Sequence, residues 1–155
     1  MIFATVGSHP SYRFDRFLRA LEALPTDDLV VQHGPGTPPA NARRAVPWMS
    51  FADVLDHLAR AEKVVSHAGI GTILCATRAA HTPVVVPRLR RFDETVDDHQ
   101  LELAEALSET GRVVVVEDLE ELAAKVAGAP ARGTARPSED GKLAEAVRRE
   151  LLGAG

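Results

Sequence analysis

The stretch Lys63-Val64-Val65-Ser66-His67-Ala68-Gly69-Ile70-Gly71-Thr72 decides how this chain folds. A β-branched run too short for a helix stops at a glycine-bearing turn, and a helical pattern opens at Thr72 and continues to about Ala80. The same order recurs on both sides. Residues 2–6 read as a strand that meets Gly7-Ser8-His9-Pro10, after which Phe14, Phe17, Leu18, Leu21 and Leu24 follow at helical spacing until Pro25. Residues 29–32 read as a second strand, and the Gly- and Pro-rich residues 34–39 as a loop. Residues 45–48 are a candidate short strand. Ser50, with Asp53 three residues on, resembles a capping box and opens a helix through Val54, Leu55 and Leu58. Residues 84–86 form a strand stopped by Pro87. Leu101, Ala104 and Leu107 line a helix that ends at Gly111, residues 113–116 form a strand, and residues 119–126 a helix.

Strands that alternate with helices run parallel, because a hairpin cannot join parallel neighbours. Near-continuous Val runs suit strands covered on both faces. The expected fold is therefore α/β, a Rossmann-like open parallel sheet flanked by helices. It should occupy residues 1–127. Residues 128–141, rich in Gly, Ala, Pro and Arg, read as a mobile linker, and residues 142–155 as an amphipathic helix through Leu143, Val147, Leu151 and Leu152.

Composition narrows the function classes. A folded chain of 155 residues buries about 68–70% of its unfolded surface, enough for a core without disulfides or metal. Lys+Arg 18 against Asp+Glu 22 gives a formal net charge of −4, which argues against nonspecific nucleic-acid binding. Cys75 is the one cysteine, so no internal disulfide can form and a reducing cytoplasm is expected. No apolar run approaches the ~20 residues of a membrane span. The opening residues lack the basic region of a signal peptide.

In an open α/β sheet, ligands bind beyond the carboxyl ends of the strands. Three loops fall there. In the first, His67, Gly69, Gly71 and Thr72 lie between a strand and a helix, where unpaired N–H groups and close backbone approach suit a phosphate. An ordinary turn in which Thr72 caps the helix fits the same residues. The second, Asp97-Asp98-His99-Gln100, opens a helix and suits either N-capping or contacts to sugar hydroxyls. One His beside adjacent carboxylates does not give metal-ligand spacing. The third is the turn of Gly7, Ser8 and His9, in which His9 is a candidate general base without an acidic partner in the sequence. Arg88, Arg90 and Arg91 read as a solvated charged face, Cys75 as core, and His33, His57 and His81 as lacking a constellation. Trp48 fits either the core or a base pocket near Ser50 and Phe51.

These loops together resemble the C-terminal, donor-binding domain of glycosyltransferase family 28, one half of a GT-B fold. In length and layout the chain is similar to the small subunits of two-component transferases, both the bacterial exopolysaccharide (PssE-like) kind and the eukaryotic cytosolic kind that works on dolichol diphosphate. The resemblance rests on Ile2-Phe3-Ala4-Thr5-Val6-Gly7, Gln32-His33-Gly34, Ser66-His67-Ala68-Gly69-Ile70-Gly71-Thr72, Pro83-Val84-Val85-Val86-Pro87-Arg88 and Asp98-His99-Gln100. It implies a donor diphosphate held by His67, Gly69, Gly71 and Thr72, and a donor sugar held by Asp98, His99 and Gln100. It places the uracil and ribose at Ser50 and Phe51, and the acceptor beside Gly7 and Ser8. Many relatives carry a ribose-binding Glu where this chain has Cys75. The implied activity is transfer from a UDP-sugar to a lipid-linked saccharide without a metal or other cofactor. It would take place at the cytoplasmic face of the membrane, with a membrane-associated, acceptor-binding (PssD-like) partner. A nucleotide-sugar sensor or assembly module without catalysis is the alternative on the same fold.

Overall fold

A computed structural model describes residues 1–134 of the chain. Six parallel strands form one sheet: β1 Ile2–Thr5, β2 Leu29–Gln32, β3 Arg44–Val46, β4 Lys63–His67, β5 Val84–Val86 and β6 Val114–Val115. Their order is β3-β2-β1-β4-β5-β6. In register, Thr5 faces Gln32 on one side and Ser66 on the other, and His67 faces Val86. The order reverses between β1 and β4, so the turns after these two strands flank the switch point where such sheets take ligands.

The helices are α1 Asp15–Ala20, α2 Phe51–Arg60, α3 Ile70–Arg78, α4 His99–Glu109 and α5 Leu122–Gly128. Strand parity sorts them into two layers. Ala4, Val31, Val65, Val84 and Val86 point to one face, where Phe14, Phe17, Leu18, Leu21, Leu122 and Val126 cover them. Phe3, Val30 and Val64 point the other way, against Leu58, Ala61 and Ala76, while Val85 on that face meets Ile73, Leu103 and Leu107. The sheet is thus buried on both sides, as its Val runs require.

Local differences from the sequence reading have physical causes. The first helix turns 3-10 at Leu21–Ala23, one turn before Pro25. The third helix starts at Ile70 with Gly69 as N-cap, so Thr72 lies inside the first turn and is not the cap. α4 begins at His99, not at Leu101. Of the linker expected from residue 128, Gly128 closes α5 and residues 129–134 are held to the body. Lys63 donates to the Ala129 carbonyl, Arg132 to the carbonyls of Ala59 and Ala79, and the Gly133 N–H to that of Ala80 at 2.9 Å. The rest of that linker and the helix expected at 142–155 lie outside the described residues.

Candidate functional site

Gly7, His67 and Gly69 meet at the switch point. A Cβ on Gly7 would stand 2.5 Å from His67 Cε1, and one on Gly69 only 2.0 Å from His67 Nε2. The imidazole is therefore wedged between the two glycine turns, neither open to solvent at the strand tip nor lost in the apolar core. It is 9% exposed, and its Nδ1 has no hydrogen-bond partner among the described residues. Burial, and then the charge of Arg88, pushes the imidazole pKa down to about 4 against a weaker pull from the Thr5 backbone. His67 is therefore a neutral ring at pH 7, carrying a single N–H. Gly7 adopts a φ of +81°, open to glycine at little cost, and its N–H donates to Thr5 Oγ1 at 3.0 Å. Thr5 Oγ1 donates to Gln32 Oε1 at 3.0 Å, which fixes this turn to β2.

The amino end of α3 opens beside the imidazole. No side chain caps it, and the first bond back into the helix runs from the Ile73 N–H to the Gly69 carbonyl at 3.1 Å. The N–H groups of Ile70, Gly71 and Thr72 precede that bond and lack intrahelical partners. These unpaired donors and the helix dipole stand beside the His67 ring, an arrangement that suits a diphosphate.

The residues expected to face a sugar are organised through main-chain contacts. Asp98 Oδ1 accepts the Arg90 N–H at 3.0 Å, and Asp97 Oδ1 accepts the His99 N–H at 3.1 Å. His99 lies 3.6 Å from Asp97 and 3.7 Å from Glu102, measured between ring nitrogens and carboxylate oxygens. Gln100 Oε1 accepts the Arg88 N–H at 3.2 Å, so its amide group keeps its donors for another acceptor. A cavity of about 290 Å³ opens beyond this loop towards β6, lined by Arg16, Leu89, Arg91, Asp98, Leu101 and Glu117 among others.

On the opposite flank Ser50 caps α2. Its Oγ accepts the Asp53 N–H at 3.1 Å, the cap expected from the sequence, while the Asp53 carboxylate takes the Ser50 hydroxyl at 2.8 Å and not the Ser50 N–H of a full capping box. That hydroxyl is engaged within the cap. Phe51 (67% exposed) and Trp48 stand open, with Trp48 beside Gly34. Cys75 packs with Met49 and Val54 against Phe3, Leu58 and Ala76.

His9 is exposed, and its Nδ1 accepts the Ser11 N–H at 3.2 Å, which places the proton of the neutral ring on Nε2. In this arrangement the Nδ1 lone pair of His9 is engaged by the Ser11 N–H. His81 is buried and bonds the Leu58 carbonyl through Nε2 at 2.8 Å. One expectation needs correction. Arg88 is not on a solvated face but 3% exposed, and its guanidinium is spent on main-chain carbonyls. The remaining histidines, His33 and His57, bond the carbonyls of Gly36 and Asp53.

The profile of the glycosyltransferase family 28 C-terminal domain matches residues 1–146. The chain belongs to that family. A subunit of UDP-N-acetylglucosamine transferase, ALG13, from Cryptococcus neoformans is 48% identical over 65 residues, 40% of this chain and 31% of that protein. ALG13 of Yarrowia lipolytica is 38% identical over 66 residues, 43% of this chain and 32% of that protein. The matches thus span about a third of these curated relatives. Among solved structures, the calicheamicin glycosyltransferase CalG4 superposes with a TM-score of 0.58 at 20% identity, over 97% of this family 28 chain and 38% of its own. SnogD of Streptomyces nogalater gives 0.50 at 20% identity, over 97% and 36%. These likenesses bear out the Rossmann-like sheet.

Proposed function

We propose that this chain is the donor-binding subunit of a two-component glycosyltransferase that moves a sugar from a UDP-sugar to a lipid-linked saccharide. One observation carries the reading: a neutral, buried imidazole with an unpartnered nitrogen stands beside the uncapped amino end of α3 at the switch point. Amide N–H groups of Ile70, Gly71 and Thr72, with His67, hold the diphosphate. Gly69 and Gly7 leave room for the ring. As the bond from the sugar to the diphosphate breaks, negative charge builds on the departing UDP, and these fixed dipoles stabilise it without a metal ion or other cofactor. Asp98, His99 and Gln100 face the sugar, and the backbone at Ser50 and Phe51 receives the uracil and ribose. Gly7 and Ser8 border the acceptor.

A general base must take the proton of the acceptor hydroxyl. His9 has its lone pair engaged, so the base comes from the partner, a membrane-associated (PssD-like) acceptor-binding subunit. The chain works in the cytoplasm and reaches the membrane through that partner. The word "subunit" in the name of the ALG13 relatives supports two components, and their named sugar favours N-acetylglucosamine as donor.

Calorimetry with UDP tests this. Binding is expected, weakened about tenfold (about 1.4 kcal/mol) by His67→Ala. Unchanged affinity removes the phosphate role. Transfer is expected only with the partner present; binding without transfer in the complete pair would favour a sensor or assembly module instead.

A further inference from the structure

Arg88 follows Val84 and Val86 at the spacing of alternate strand residues, and like them it points to the face of Phe14, with its guanidinium 4.7 Å from that ring. Its Nη2 donates to the Val6 carbonyl at 2.8 Å, and Nη1 to those of Tyr12 and Glu94, both at 3.2 Å, with Arg13 at 3.5 Å. Its own N–H holds Gln100 Oε1. Glu94, the acid nearest in chemistry, does not pair with it. Both Glu94 oxygens are taken by Arg16, at 2.9 and 3.0 Å, and the second also accepts the Leu89 N–H at 3.0 Å. Burial accordingly holds the Arg88 pKa below its ordinary value, opposed by the charge of Glu94.

We propose that Arg88 is a positioning residue that ties the acceptor-side turn to the sugar-side loop and so sets the spacing between Gly7 and Gln100. Burying a guanidinium against carbonyls alone is costly, and an apolar side chain could fill the same space over Phe14. What the arginine adds is direction: a rigid planar fork that fixes Val6, Tyr12 and Glu94 at once, which the single ammonium of lysine cannot do. Arg88 makes no bond to the diphosphate cradle, and the charge by which it acts on His67 is kept in Arg88→Lys. The role rests on the donor reading above.

The test compares UDP with UDP-N-acetylglucosamine by calorimetry on the full chain and its Arg88→Lys variant. The expected result is UDP affinity within twofold of wild type, with affinity for the sugar nucleotide at least fivefold lower. Equal loss for both ligands would make Arg88 a structural support only, and no loss for either would remove the role. A measurement without any variant guards against misfolding: in hydrogen exchange on the wild-type chain, residues 7–13 and 88–98 should open at rates within threefold of each other. Rates more than tenfold apart overturn the proposal. Wild-type protein that binds neither ligand overturns the donor reading and this role together, whereas wild-type binding with an unaltered Arg88→Lys overturns this role alone.

Discussion

Gly69→Ala offers the sharpest test of the geometry at the switch point. The backbone there has φ −81° and ψ 130°, values any residue adopts, so alanine meets no strain from its own main chain. Its methyl would instead stand 2.0 Å from His67 Nε2. Contact needs more than 3 Å, so the buried ring must shift by about an ångström, an overpacking worth about 1–3 kcal/mol. In a His67→Ala background that obstacle is gone. The entropic gain of alanine over glycine and its poorer standing as an N-cap then roughly cancel, leaving about 0.5 kcal/mol or less. Urea unfolding of the four proteins should therefore return a coupling of about 1–3 kcal/mol between the two positions. UDP titration should show binding damaged by Gly69→Ala. Gly7→Ala differs in kind: its methyl also meets the ring, 2.5 Å from His67 Cε1, but a φ of +81° costs an alanine about 1–2 kcal/mol that should persist when the ring is removed. If Gly69→Ala is as harmful without His67 as with it, the imidazole does not lie between the glycines and the site described above is wrong.

Two further outcomes follow from buried and strained positions. The folded His67 pKa of about 4 lies below the ordinary 6.5, so the unfolded chain binds more protons between these values. Stability should then be full above pH 6.5 and fall by about 3 kcal/mol as the pH drops to 4. Burial of His81 adds to the same slope. Denaturant titrations from pH 7 to 4 should give a flatter curve for His67→Gln, and an unchanged curve would mean an exposed ring. Ala80 closes α3 at φ +65°, a left-handed position that glycine fills without a Cβ clash, so Ala80→Gly should raise stability by about 1 kcal/mol in thermal or urea unfolding. A loss would show that this terminus is not left-handed.

Much of the fold was legible because it depends on short-range pattern. Runs of β-branched residues at 29–32, 63–67 and 84–86 can be buried on both faces only in a helix-covered parallel sheet, and the structure places them there. Ser50 and Asp53 formed the expected cap because all its parts lie within four residues. The boundaries of α3 and α4 were missed by two residues each, since Gly69 and Asp98 start helices without a side-chain cap to announce them.

The site was legible as a set of loops but not as a set of contacts. The wedging of His67 was not legible in its own loop because it is made partly by Gly7, in the turn after β1, sixty positions earlier in the chain. Arg88 looked solvated because it stands among charged neighbours after a proline. Yet the alternation that put Val84 and Val86 inside does not stop at Pro87, a residue that keeps the chain extended. Carried two residues further, the same parity delivers a guanidinium to the layer of Phe14, where apolar burial forbids it to remain unbonded. Side-chain acceptors are lacking there, since Glu94 is committed to Arg16. Main-chain carbonyls are what remain, and in this fold carbonyls unpaired by the sheet ladder occur just past the strand ends. The requirement to satisfy one buried cation thus draws the turn after β1 and the loop after β5 together, on the rim beyond the carboxyl ends of the strands.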